Sequence, residues 1–322
     1  MSPTNKNYLP KDFIETKEGL CFAVVQQGLE EHNSLKKVLC FLRYINFDTD
    51  NRQWQKVSTR QANEFLQTHY PDYLFHSSKL DADLHAVAIA RIIRHHEPKF
   101  RLQHILAKPE KDQVEEDLTE LVKLFAQHDV DMTVCGATGS LLLGTQNDSS
   151  DIDLVFYDRE VFHTARSVTA KLIEQHLLTA LKDKDWRSAY DRRSCSLSFD
   201  EYIWHEHRKF NKALINNRKI DLSFVTEEPS EIETNYRKLG NVTIQCKIAE
   251  DKYNFDYPAL YVIDHKEITE VVCFTATYNG QAKIGETVEI SGLLEQAENG
   301  DKRIIVGSSR EAPDEYIKVI PC

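Results

Sequence analysis

The chain has 322 residues, 41% hydrophobic and 28% charged, with a formal net charge of −11. That length suits two or three domains, no apolar run reaches the roughly 20 residues a membrane-spanning helix needs, and the acidic balance argues against indiscriminate binding to polyanions. The seven cysteines are scattered without a C-x-x-C pair, so neither a disulfide framework nor a thiolate zinc site is indicated. The N-terminal "MSPTNKNYLPKDF" lacks the charged-then-apolar order of a signal peptide, and a cytoplasmic protein in a reducing compartment is expected.

Residues 1–108 are expected to form an N-terminal α/β domain. "GLCFAVVQQ" and "KKVLCFLRYINF" read as strands of a hairpin with a longer loop. "TRQANEFLQTHY" has helical spacing with Thr59 as N-cap. In "LDADLHAVAIARIIRHH", Leu80, Leu84, Val87, Ala88 and Ile92 fall on one helical face, which predicts an amphipathic helix with "HHE" at 95–97 as its end. "HILAKPEKDQ" reads as a connector. Residues 109–240 then alternate. A helix carries Val114, Leu118, Leu121, Val122 and Phe125. The strand "MTVCG", the short helix "SLLLG", the strand "IDLVFYD" and a helix from about Glu160 to Leu181 follow. Beyond a segment rich in Arg, Lys and aromatics at 183–219 comes the strand "RKIDLSFV". The pattern predicts an α/β or α+β domain. In 241–322, five or six short strand-like runs separated by Gly, Asn or Pro predict a small β-barrel, with the OB-fold as a candidate topology.

The chemistry concentrates in "VCGATGSLLLGTQNDSSDIDLVFY", residues 134–157. Side chains alternate along a strand, so Asp151 and Asp153 face one way, about 7 Å apart. Carboxylates held on one face repel each other unless a cation or a proton lies between them. Mg²⁺ suits carboxylate oxygens and also takes phosphate oxygens. A third carboxylate, Asp221, opens the later strand, and two ions about 4 Å apart would activate an attacking oxygen and steady a leaving one. Gly139 lets the backbone approach a ligand closely, and Ser140 opens a short helix whose free N–H groups favour anions. A triphosphate is expected there, with its α-phosphate over the metals.

Taken in order, G-S-x-x-x-G (Gly139, Ser140, Gly144), S-D-I-D-L (Ser150 to Leu154) and the later strand Asp221 resemble the DNA polymerase β-like nucleotidyltransferase superfamily over about 112–226. The resemblance implies a core with a mixed sheet, an NTP substrate, and two Mg²⁺ ions or Mn²⁺ in their place. It implies that Asp151, Asp153 and Asp221 are catalytic metal ligands, Asp221 also helping to activate the acceptor hydroxyl. Gly139 and Ser140 would hold the β- and γ-phosphates, with Ser150 beside them. The chain as a whole is also similar to predicted nucleotidyltransferases frequent in archaea, which supply no acceptor. It departs from the usual pattern in the long segment between Asp153 and Asp221, so Asp200 in "SFDEY" stands as the second candidate for the third carboxylate.

Other features carry plainer readings beside the sharper ones. Gly144 most simply ends the short helix. The cations of 183–219, Arg208 and Lys212 among them, are candidates to contact phosphate, against a solvated amphipathic helix with its aromatics in the core. "HEH" at 205–207 lacks a complementary zinc ligand set. The barrel offers a route to RNA by fold analogy alone. The leading expectation is Mg²⁺-dependent transfer of a nucleoside monophosphate to the hydroxyl of an RNA, protein or small molecule. The alternative is a non-catalytic nucleotide-sensing or RNA-binding protein.

Overall fold

Largely buried strands build the first sheet in the computed structural model, which describes residues 7–47, 53–78, 80–193, 195–228, 236–309, 312 and 314–320. The elements in order are β1 (Phe13–Thr16), β2 (Leu20–Val24), β3 (Glu30–His32), β4 (Leu35–Asn46), β5 (Trp54–Lys56), α1 (Thr59–His69), β6 (Leu74–Ser77), β7 (Ala82–Ala88) and β8 (Ile92–His96). The sheet order is β6-β7-β4-β2-β1-β8, with β3 and β5 also paired to β4. Its core joins Phe22, Leu42 and Val87 to Ala62 and Leu66 of α1. The N-cap of α1 is Ser58, one residue before the expected Thr59. Ser58 Oγ accepts from the Gln61 N–H, and the Ser58 N–H donates to Gln61 Oε1 at 2.9 Å, a reciprocal capping box.

The helix predicted over "LDADLHAVAIARIIRHH" is corrected: most of that stretch forms strands β7 and β8. Leu80, Leu84, Ala88 and Ile92 are spaced by four, a multiple of the strand period of two, so the spacing did not separate the two states. Pairing of β7 with both β4 and β6 decides it, and the Leu42 N–H donates to His85 Nδ1 at 2.9 Å. His95 and His96 therefore end a strand, where they meet Asp12 (2.8 Å) and Glu15 (3.1 Å).

The next elements are α2 (Pro98–Ala107), α3 (Gln113–Ala126), β9 (Cys135–Thr138), α4 (Ser140–Leu143), β10 (Ile152–Phe156), α5 (Arg159–Glu174), α6 (Asp183–Asp191), α7 (Phe199–His207), β11 (Lys212–Ile215) and β12 (Arg218–Phe224). Asp112 caps α3, which buries the expected face of Val114, Leu118, Leu121, Val122 and Phe125. α5 stops at Glu174, short of the expected Leu181, and His176 just beyond it has φ +60°. β10 lies between β9, antiparallel, and β12, parallel, so this sheet is mixed.

The last strands are β13 (Tyr236–Glu250), β14 (Ala259–Asp264), β15 (Ile268–Cys273), β16 (Thr287–Ala297), β17 (Lys302–Val306) and β18 (Tyr316–Val319). Pairing runs β13-β14-β15-β17-β16 and returns to β13, whose length lets it meet both β14 and β16. The β15–β17 pair is parallel.

The molecule is thus a mixed α+β protein. Its contacts divide it into two units: Met1–Phe162 with Ile220–Glu231, and His163–Lys219 with Ile232–Cys322. In the first, Phe13, Cys21 and Tyr44 of the N-terminal sheet share a cluster with Leu142 of α4. In the second, Leu197 joins the core of the closing sheet with Tyr261, Val271 and Ile304. Among the described residues no helix is long and apolar enough to cross a membrane.

Candidate active site

β10 and β12 bring the acidic residues together. Ile152, Leu154 and Phe156 are buried on one face of β10, so Asp153 points from the other. On β12, Ile220, Leu222 and Phe224 are buried and Asp221 takes the opposite face. Asp153 and Asp221 stand in direct register on these parallel neighbours, a separation of about 4.8 Å between strands. Thr138 of β9 stands opposite Asp153 on its other side, making one row across three strands. Asp151 lies two residues before Asp153 and is exposed. Asp200, by contrast, sits in the first turn of α7 in the second unit.

This crowding has an electrostatic signature. Asp153 is held up to about 6 from an ordinary 3.8, first by burial and then by the charge of Asp221, with Asp151 adding to it. Lys11 and Lys56 act in the opposite sense. Withdrawal from water and like charge both disfavour the ionised form. Carboxylate oxygens are the ligand type that hard divalent cations take. Among the described residues there is no group of three or more His, Cys, Asp or Glu side chains that could hold a metal ion.

Gly139 links β9 to α4 with φ +67° and ψ −141°, a conformation open almost only to glycine. A Cβ there would lie 2.2 Å from Asp153 Oδ2. The glycine therefore serves both the turn and the close passage of backbone over the carboxylate. α4 is a single turn, ended by Gly144 at φ +70° as expected. Arg101 anchors it by donating Nε–H to the Leu141 carbonyl at 2.6 Å. Arg101 and Lys108 in turn meet the buried Glu115 at 3.2 and 2.6 Å. Replacing Glu115 with Ala leaves these cations without their shared partner and is expected to cost about 2–3 kcal/mol. Urea denaturation checks this, and a loss under about 0.5 kcal/mol would refute the anchoring role.

The loop before Asp151 is closed by its own side chains. The Ser150 N–H donates to the Asn147 carbonyl at 2.8 Å, and Ser150 Oγ accepts from the Asn147 N–H at 3.0 Å. Ser140 sits at the start of α4 beside Gly139.

Arg208 and Lys212 belong to the second unit. Arg208 pairs with Glu286 and lies over the Trp204 ring at 4.3 Å. Lys212 pairs with the buried Glu206 at 2.9 Å, as does the buried Lys209 at 2.5 Å. In "HEH", His205 is spent on structure: Nδ1 donates to the Glu201 carbonyl, and Nε2 accepts from the Val319 N–H at 3.0 Å.

Lys11, Lys56 and Tyr44 escaped sequence reasoning. No motif surrounds them, and they lie about 100 to 140 residues before Asp153, whose charge each of them meets. Lys11 precedes Asp12 in the turn that enters β1 and holds φ +77°, a rare conformation for a long side chain.

The chain is 33% identical, over an alignment of 340 residues, to the uncharacterized protein MJ1086 of Methanocaldococcus jannaschii. The alignment covers 96% of this chain and 98% of that protein. No family model and no solved structure matches.

Proposed function

The chain belongs to the family of the M. jannaschii protein MJ1086, and we propose that it is a divalent-metal-dependent nucleotidyltransferase that moves a nucleoside monophosphate from an NTP to an acceptor hydroxyl. The observation that carries the reading is the register pairing of Asp153 with Asp221, with Asp151 beside them and the Gly139 backbone against Asp153. In this reading the acceptor oxygen forms a bond to the α-phosphorus while the bond from that phosphorus to the bridging oxygen breaks. The electron pair leaves with pyrophosphate. The acceptor proton passes to a carboxylate of the row, and Asp221 is assigned that role. Mg²⁺, when bound by Asp151, Asp153 and Asp221, supplies charge neutralisation at the phosphate oxygens. Gly139 and Ser140 present backbone to the β- and γ-phosphates. Ser150 holds the loop that aims Asp151. Arg208 and Lys212 are given no part, since each has a carboxylate partner within the second unit.

The closing ring of pairings in 236–306 is read as a small barrel. Its pairing order, first-second-third-fifth-fourth and back to the first with third and fifth parallel, supports an OB-like reading. That order favours a second reading, an RNA-binding protein or an enzyme with an RNA acceptor. The six cysteines of the described residues are free, in keeping with the proposed cytoplasmic location.

The test is incubation of the protein with each α-labelled NTP and Mg²⁺, alone and with cellular RNA, protein and metabolite fractions. Label transfer with stoichiometric pyrophosphate release, lost when EDTA is added, is expected. Retention of labelled NTP with no turnover in any fraction would favour nucleotide sensing, and RNA binding with no affinity for Mg·NTP would favour the RNA-binding reading.

A further inference from the structure

The N-terminal segment brings two lysines to the acidic row. Lys11 arrives on its backbone: its carbonyl accepts from Thr138 Oγ1 at 2.8 Å, and Thr138 stands opposite Asp153 in the sheet. Lys56 arrives on β5. It stands directly across from Tyr44 of β4, so both side chains leave the same face. Tyr44 is 5% exposed, packs with Leu142 of α4, and reaches Thr145 just beyond that helix. Lys11 thus sits beside Thr138 and Lys56 beside the Tyr44 that meets α4, both with exposed side chains. Among the described residues neither ammonium lies in an ion pair. Lys11 also holds a left-handed backbone at φ +77°, a strain that persists only where surroundings impose it and that gathers at functional sites.

We infer that Lys11 and Lys56 bind the β- and γ-phosphates of the substrate, so that the N-terminal segment is part of the active site; the inference rests on the nucleotidyltransferase reading above. Three carboxylates and a tetra-anionic triphosphate outweigh two divalent cations, and further positive charge must come from the protein. Exposed lysines gain little from carboxylates across water, whereas an ammonium that donates to a phosphate oxygen makes a strong charge-assisted bond. The same pair would hold the departing pyrophosphate and would separate triphosphates from monophosphates.

The test titrates the full chain calorimetrically with non-hydrolysable analogues of the four NTPs, with the matching NMPs, and with Mn²⁺ alone. The variants are Lys11→Gly, which suits the left-handed backbone, Lys56→Gln and Lys56→Arg. Lys11→Gly and Lys56→Gln are each expected to weaken NTP binding about tenfold while NMP affinity stays within about twofold. Mn²⁺ alone should bind as well as before or better, because the carboxylates lose a competing cation. Lys56→Arg should keep most of the NTP affinity. Unchanged NTP affinity in either variant overturns the assignment of that lysine, and equal loss of NTP and NMP overturns the phosphate role. Failure of the wild-type chain to bind any NTP removes the reading beneath the inference, and it is told apart because the unmodified protein fails.

Discussion

Asp153→Asn is expected to lower nucleotidyl transfer about a thousandfold while making the metal-free protein more stable at pH 7.5. The two effects share a cause. Asp153 is half-buried beside Asp221 and Asp151, and its carboxyl is held near 6 rather than 3.8. A carboxyl raised in the folded state contributes stability that is fully present below the unfolded value and is lost as pH rises through the folded one. Between pH 3.8 and about 6 the folded protein therefore keeps a proton that the unfolded chain releases. Above pH 6 the wild type carries an ionised, crowded carboxylate at a cost of about 2–3 kcal/mol. Asn keeps the shape and removes the charge, so the variant should melt about 5 °C higher at pH 7.5, with the gap closing toward pH 4. Mg²⁺ should raise the melting temperature of the wild type and leave the variant unmoved. Calorimetric melts at pH 4, 6 and 7.5 with and without Mg²⁺ check all three points. Near-normal turnover of the variant would sink the catalytic assignment. A variant less stable than wild type at pH 7.5 would show that the carboxylate is held by favourable partners.

Gly139→Ala is expected to destabilise the first unit by about 3 kcal/mol and to cut transfer about a hundredfold. Backbone strain is one part, since φ +67° with ψ −141° is hostile to any residue with a Cβ. Collision is the other: the new methyl would sit 2.2 Å from Asp153 Oδ2, and the carboxylate must swing out of the row. A double-mutant cycle separates them. In an Asp153→Ala background the collision is gone, so the cost of Gly139→Ala should fall by at least about 1 kcal/mol, leaving the strain alone. Additive costs in urea denaturation would mean that the glycine is needed for the turn only. Binding adds a second readout. The displaced carboxylate and the blocked backbone should weaken Mg·NTP more than NMP, and equal weakening would point to general disorder of the unit.

Much of the candidate site was legible because its signals are local. The order glycine, serine, glycine, then D-x-D at the head of an apolar run specifies a turn, a one-turn helix and a strand within about twenty residues. Backbone geometry makes such short patterns nearly self-interpreting. Asp221 was nominated by the same local logic, and β12 places it beside β10. The N-terminal segment was read less well. Its apolar spacing by fours satisfies helix and strand alike, and only pairing with β4 and β6 distinguishes them.

The sequence by itself singled out the residues of the candidate site: Asp151 and Asp153 at the head of β10, Asp221 within β12, the glycine between β9 and α4, and the alternation that points acidic side chains away from the core. Those follow from side-chain type and from periods of two and 3.6, which the chain expresses locally. Tertiary structure alone decided that Asp153 and Asp221 meet in register across 67 intervening positions, that Asp153 is held near 6, and that Lys11 and Lys56 of the N-terminal region act on its charge. It also decided that residues 163–219 cluster with 232–322. Each depends on long-range pairing and shared burial, which are set by the whole chain's competition for a core and leave no periodic mark on the residues concerned.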